Sequence, residues 1–328
     1  MSAFSPGLVT VFGGSGFIGA QAVRALARDG WRVRVAMRNP NLAPELRPQG
    51  DVGQIQLMRC DVTSDAEVAE ALKGADAVVY LVGVLHESGK RTFEALHVEA
   101  AARVARAATA EGVTRLVHVS ALGADLHSES AYFASKAQGE AAVRAEFAEA
   151  VVLRPSLVFG KGDSFLNRFA DLAAKAPALP LIGGGETRLQ PVYVGDVAQA
   201  IATAARLPQA AGQTYELGGP AVWSMKDVLG YIVRETGHDR QLVPLPFFAA
   251  KALGGLLQVP AAIGLKPVLT KDHVVMLETD NVVAEGAAGL PELGVEATGI
   301  EAIAPSYLWR YRKGGQFAEN PTGDFVPA

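Results

Sequence analysis

The chain has 328 residues, 49% of them hydrophobic and 20% charged, a balance that excludes a disordered chain and leaves ample apolar surface for a large core. A net charge of −4 gives no basic footprint, so nucleic acid is not an expected partner. The single cysteine, Cys60, excludes an internal disulfide or a multi-cysteine metal site, and the six histidines form no close pair with metal-ligand spacing.

The opening residues carry no basic, apolar or Arg-rich targeting pattern, and no 18-residue apolar run lacks both charge and proline. The expectation is a chain without a transmembrane span that stays in the cytoplasm. From residue 8, short Val-rich runs alternate with Ala-rich helical stretches, the pattern of a doubly wound parallel sheet in the α/β class. Strands are expected over 8–13, 32–38, 55–61, 76–84, 114–122 and 149–160. The run 76–84 is the most apolar and therefore central. Helices are expected over 18–29, 65–74 and 93–112, then one that begins at Tyr132, and another over 224–237 with Ser224 as N-cap and Asp227 in its first turn. Residues 1–160 read as the dinucleotide-binding core, 161–312 as a smaller C-terminal α/β region interleaved with it, and 313–328 as an extended tail.

The stretch GGSGFIG places Gly13, Gly16 and Gly19 between a strand and a helix, the context in which spaced glycines cradle a pyrophosphate at a helix N-terminus. Gly13 allows the tight turn, Gly16 allows close backbone approach, and Gly19 allows the helix to pack on the sheet. Ser15, Phe17 and Ile18 complete the loop facing the dinucleotide. The second strand ends at Arg38 with no Asp or Glu nearby, which favours the 2′-phosphate of NADPH over the free hydroxyl of NADH. Asp61, followed by Val62, closes the third strand; it either accepts from the adenine amino group or caps the next helix. Val82 and Gly83 lie beneath the cofactor, and Pro155 ends another strand at its nicotinamide end.

Ser120 ends the strand LVHVS, and Tyr132 and Lys136 stand one helical turn apart. Together they form a plausible carbonyl-reducing set: Ser120 polarises the carbonyl, Tyr132 donates its proton, and Lys136 lowers the phenol pKa and binds the ribose. The plainer alternative is a helix-start tyrosine beside a solvated lysine.

The pieces GGSGFIG, CDVTS, EGVTRLVHVS, YFASK, LRPSLVFG and VYVGDVAQAI, in this order, resemble the short-chain dehydrogenase/reductase superfamily in its extended and atypical branches. That resemblance implies a Rossmann-type domain with NADP(H) at the glycine loop and a smaller C-terminal substrate region. VRVAMRNP, LRPSLVFGKGDSFLNRFA, LQPVYVGDVAQAI, PLPFF and LPELGVEAT are similar to the nucleotide-binding accessory subunit family of respiratory complex I, over the chain to about residue 312. In that family NADPH is held tightly, which implies a non-catalytic role with partners among the subunits of a membrane-bound respiratory complex, and peripheral attachment to the inner membrane. The alternatives are an active NADP-dependent reductase or epimerase on a small or isoprenoid-like carbonyl substrate, and a module sensing the NADPH/NADP⁺ ratio. The chain departs from many extended members at His97, where they carry asparagine, and a water-relay role there is not expected.

Residues 244–270 are too interrupted by Lys251, Pro260 and Lys266 to cross a bilayer, yet too apolar for a solvated loop. Leu253, Leu256 and Leu257, with Phe247 and Phe248 before them, suggest a short amphipathic helix. It would dock at a membrane edge or partner, or else close the protein's own core.

Overall fold

The computed structural model describes residues 6–257 and 269–317. Runs of β-branched and apolar residues form β1 (Leu8–Phe12), β2 (Arg32–Met37), β3 (Ile55–Arg59), β4 (Ala77–Tyr80), β5 (Arg115–Val119) and β6 (Val151–Pro155). With the edge strand Thr214–Leu217 they make a seven-stranded sheet, parallel at every pairing, ordered Thr214–Leu217, β6, β5, β4, β1, β2, β3. Val9, Val11, Val33, Val35, Val78, Val79, Leu116 and Val152 are fully or almost fully buried, as a sheet covered on both faces requires. β4 is the middle strand, as its composition predicts.

The connecting helices are α1 (Phe17–Arg28), α2 (Asp65–Leu72), α3 (Ala100–Ala110) and α4 (Ala131–Glu146). Side-chain caps set the starts of α2 and α4: Ser64 Oγ accepts from Glu67 N–H at 3.3 Å and Ser130 Oγ from Phe133 N–H at 3.3 Å. Strand order reverses between β1 and β4, and the carboxyl ends of these strands open the crevice in which such sheets bind ligands. This is the expected Rossmann-type doubly wound arrangement.

Within the regular elements of residues 93–160, two local expectations needed correction. The helix expected over 93–112 begins as a π-helical turn, Glu94–Glu99, before α3. The strand expected over 149–160 breaks after Pro155; Val158–Phe159 pairs instead with Val192–Tyr193. Ser156 turns its hydroxyl onto the Gln190 carbonyl, which draws the chain out of the ladder.

The chain divides into two compact units: Met1–Pro155, Gly195–Leu217 and Glu285–Glu296 in the first, Ser156–Val194, Gly218–Ala284 and Ala297–Ala328 in the second. The second unit packs Phe159, Leu166, Leu229, Ile232, Tyr307 and Leu308 into its own core. Asp163 is its polar hub, accepting from the backbone N–H of Phe165 (2.9 Å) and Leu166 (2.6 Å) and from Tyr307 Oη (2.9 Å). The helix Met225–Glu235 starts with the expected Ser224–Asp227 capping box.

Helix Phe247–Leu257 forms, but its faces differ from the leucine pattern. Ala250 and Gly254 are buried, whereas Phe248 is 78% exposed and Leu256 71%. Phe247 packs beside Ile182, Ala250 and Val274. The remainder of the expected docking segment, 258–268, and most of the tail, 318–328, lie outside the described residues. Among the described residues no helix is long and apolar enough to cross a membrane.

Candidate functional site

The site residues expected from sequence all belong to the first unit. Gly13 turns the chain with φ +82°, and a Cβ there would lie 3.0 Å from the backbone carbon of Leu81 and 3.0 Å from Val82 N. A Cβ on Gly19 would lie 2.7 Å from Gly14 Cα, so α1 packs directly on the turn. Gly14, which the spacing argument did not single out, is buried against Val35; the GG pair was its available signal. Ser15 and Gly16 are exposed, and Phe17 and Ile18 half-buried. The first turn of α1 has neither a side-chain cap nor an acidic residue. Its orphan amides and positive dipole end are therefore left for an external anion.

Arg38, just beyond β2, is exposed. On the neighbouring strand the exposed Arg59 pairs in register with Met37. The Asp61 carboxylate is held below its usual range, first by the backbone N–H and hydroxyl of Thr63 and then by Arg38 and Arg59. Its Oδ1 accepts both Thr63 bonds, at 3.0 and 2.8 Å, so it closes the turn before α2 while Ser64 supplies the helix cap. Arg59 escaped the sequence reading; a basic residue ending a strand beside Arg38 was the signal that could have found it. Val62 is buried and offers its carbonyl to Arg103 at 3.3 Å. Val82 is half-buried and Gly83 exposed beyond β4.

Ser120 follows β5 and is 5% exposed, yet its Oγ has no hydrogen-bond partner among the described residues. Lys136 is buried and donates from Nζ to the Val119 carbonyl at 2.8 Å. Burial pulls its pKa down to about 8, with Glu140 acting in the opposite sense. Lys136 is thus not the solvated lysine of the plainer reading. Tyr132 is half-buried in the first turn of α4, its ring edge-on to Phe93, His97 and Phe133 with centroids 6.0, 5.6 and 5.5 Å away. Pro155 is buried at the end of β6, and its carbonyl accepts from Leu122 N–H at 2.9 Å.

Two histidines underlie this set. His118 is fully buried and stacked on Tyr80, and burial keeps it neutral; neither ring nitrogen has a partner among the described residues. His97 is 1% exposed, with Nε2 3.0 Å from Val84 N and Nδ1 2.9 Å from Ser135 Oγ.

The arrangement suits a dinucleotide. A close-packed glycine turn meets an uncapped helix start, and the buried Ser120 follows directly on Val119, whose carbonyl the Lys136 ammonium holds. A buried lysine with a lowered pKa and a tyrosine one turn apart can also support proton transfer.

Residues 9–218 match the NAD dependent epimerase/dehydratase family. The chain is 34% identical over 313 residues to NADH dehydrogenase (ubiquinone) 1 alpha subcomplex subunit 9, mitochondrial, of Mus musculus, spanning 95% of this chain and 82% of that protein. Ceramide reductase of Caulobacter vibrioides is 33% identical over 208 residues, 63% of this chain and 64% of that protein. Among solved structures, an NADPH-dependent quinone oxidoreductase of Escherichia coli complexed with NADPH is similar with a TM-score of 0.73 at 19% identity, over 92% of this chain and 99% of that one. At that identity the likeness shows the fold alone.

Proposed function

The chain belongs to the NAD dependent epimerase/dehydratase family of short-chain dehydrogenase/reductase folds, and we propose that it is an NADPH-holding accessory subunit of a membrane respiratory complex, in which the dinucleotide is structural. The observation that carries this reading is the extent of the likeness to the mitochondrial subunit. It covers 95% of the chain, including the C-terminal residues beyond the family match at 9–218. Gly13, Ser15, Gly16, Phe17 and Ile18 would hold the pyrophosphate, Asp61, Val62, Val82 and Gly83 would line the adenosine and floor, and Tyr132, Lys136 and Pro155 would flank the nicotinamide end. Arg38 favours NADPH, and Arg59 adds a second positive charge at the same edge. When bound, a nicotinamide cofactor can supply a hydride; Ser120, Tyr132 and Lys136 here act chiefly as clamps.

The outward face of helix Phe247–Leu257 supports docking. Phe248 and Leu256 leave an apolar surface facing solvent, suited to a partner subunit or a membrane edge. The protein would then attach peripherally to the inner membrane through its complex. Affinity purification of the native protein from gently solubilised membranes tests this. NADH:quinone oxidoreductase subunits with bound NADPH are expected, and recovery of the chain alone from the soluble fraction opposes the reading.

A second reading, an active NADP-dependent reductase or epimerase on a small or isoprenoid-like carbonyl, is favoured by the buried Ser120 hydroxyl, which has no hydrogen-bond partner among the described residues, together with the Tyr132–Lys136 pair one helical turn apart. The likeness to ceramide reductase points the same way.

A further inference from the structure

His97 lies in the π-helical turn Glu94–Glu99 that precedes α3. Such turns add a residue to the helical circuit and re-aim side chains, here directing an imidazole into the interior beneath the strand ends. The ring stacks on Phe93 at 5.2 Å and meets the Tyr132 ring edge-on at 5.6 Å.

Its two nitrogens have distinct duties. Val84 N–H, 3.0 Å from Nε2, can only donate, so Nε2 must be the unprotonated acceptor. The proton of the neutral ring therefore resides on Nδ1, which donates to Ser135 Oγ at 2.9 Å. Ser135 Oγ in turn donates to the Tyr132 carbonyl at 2.7 Å. The result is an unbroken relay of direction from Val84 N–H through His97 and Ser135 to the backbone of Tyr132, with every donor matched to an acceptor. Burial, helped by the like positive charge of Lys136, pulls the His97 pKa down to about 3, so the ring stays neutral across the physiological range. A proton on Nε2 would confront the Val84 N–H donor, which disfavours the cation further.

The ends of this chain matter for function. Val84 directly follows Val82 and Gly83, the segment that leaves β4 at the crevice, and a Cβ on Gly83 would lie 3.4 Å from His97 Nε2. Tyr132 stands in the first turn of α4, its ring edge-on to His97 at 5.6 Å. We infer that His97 is a positioning residue that locks the cofactor-facing loop after β4 to the first turn of α4, so that the floor beneath the dinucleotide and the tyrosine beside it are set as one rigid unit. Both nitrogens are committed to this bracing, and the imidazole cannot also shuttle protons to Tyr132. Asparagine at this position reaches only as far as Nδ1 and would leave Val84 N–H unsatisfied; histidine spans both partners.

This inference rests on the dinucleotide reading for its binding consequence, and the experiment separates the two. In ligand-free protein, long-range ¹H–¹⁵N correlation of the imidazoles is expected to show His97 as the neutral Nδ1–H tautomer, unchanged between pH 5.5 and 8. An Nε2–H tautomer, or an imidazole titrating in that range, overturns the inference. Binding is then read by NADPH fluorescence titration of two variants. His97→Gln can place its carbonyl oxygen near the Nε2 position and still accept from Val84, whereas His97→Asn keeps only the arm toward Ser135. A lost hydrogen bond of ordinary strength predicts roughly 3- to 10-fold weaker NADPH binding for His97→Asn, with His97→Gln within about 2-fold of wild type. Equal weakening in both variants would mean that the ring merely fills space, and the inference fails. A wild-type chain that binds no NADPH refutes the dinucleotide reading instead, while the tautomer measurement still decides the bracing role of His97.

Discussion

At the residue scale, the proposed preference for NADPH rests on Arg38, because an exposed guanidinium at the end of β2 offers paired donors to a phosphate and none of the acceptors a ribose hydroxyl prefers. Replacing it in Arg38→Asp converts attraction into repulsion. The ratio of NADPH to NADH affinity is expected to fall by roughly 10- to 100-fold, the worth of a charge-assisted hydrogen bond, in parallel fluorescence titrations. An unchanged ratio would move the preference to Arg59 or elsewhere. Lys136 makes a separate prediction about pH. Its folded pKa is depressed to about 8 by burial, so near neutrality the folded chain carries a buried ammonium that unfolding would rehydrate. Above about pH 8 the folded chain has released a proton that the unfolded chain still binds, and stability gains with rising pH. Denaturant unfolding should therefore show Lys136→Met closing its stability advantage over wild type, or widening its deficit, as pH rises from 7 to 10. A difference constant across that range would contradict the burial account. Ser120, Tyr132 and Lys136 were legible because strand end and helical turn place them by local spacing. The bracing of His97 was not, since its partners Val84 and Ser135 lie 13 and 38 residues away and meet it only through a π-helical turn that no local pattern announces.

At the scale of elements, the glycine turn and the helix Phe247–Leu257 make contrasting predictions. Gly13 combines a positive φ with backbone of Leu81 and Val82 at 3.0 Å from any added Cβ. Gly13→Val is therefore expected to abolish dinucleotide binding and to lower the melting temperature of the ligand-free chain as well. Gly16, whose Cβ would meet only Gly13 O at 3.3 Å, should lose binding as Gly16→Val while the ligand-free protein melts near wild type. Calorimetry of the two variants with and without NADPH checks this pair. On the helix, Phe247 joins a small core whereas Phe248 is 78% exposed. Phe247→Ser is expected to destabilise by on the order of 2–4 kcal/mol, and Phe248→Ser by no more than about 0.5 kcal/mol. Only Phe248→Ser can then test docking cleanly, by loss of retention in the complex with folding intact. The sequence presented both phenylalanines as equivalents. Which one turns inward depends on Gly183, where an added Cβ would collide with the Phe247 ring, and that contact is 64 residues distant and invisible to periodicity. The alternation of Val-rich and Ala-rich runs, by contrast, was enough to read the parallel sheet and its central strand, since burial on both faces leaves a continuous apolar signature.

At the scale of the whole molecule, a structural dinucleotide should appear in the thermodynamics. NADPH at 100 times its Kd adds about 2.7 kcal/mol to the stability of the chain that binds it. Thermal unfolding with saturating NADPH is expected to shift upward, and NADH at equal concentration to shift it less. Tyr132→Phe keeps the ring and its packing against Phe93, His97 and Phe133 while removing the phenolic proton. A reductase would lose roughly 10²- to 10⁴-fold in turnover through the missing acid, whereas an accessory subunit with this substitution should assemble and support its complex at near-normal rate. The most direct test follows the cofactor itself. The complex is isolated with NADPH deuterated at the reactive C4 position, driven through sustained NADH:quinone turnover, and the retained nucleotide is extracted and weighed by mass spectrometry. The account predicts that the nucleotide remains bound, reduced and still deuterated after many turnovers. Loss of the deuterium, or recovery of the bound nucleotide as NADP⁺, would contradict a structural role.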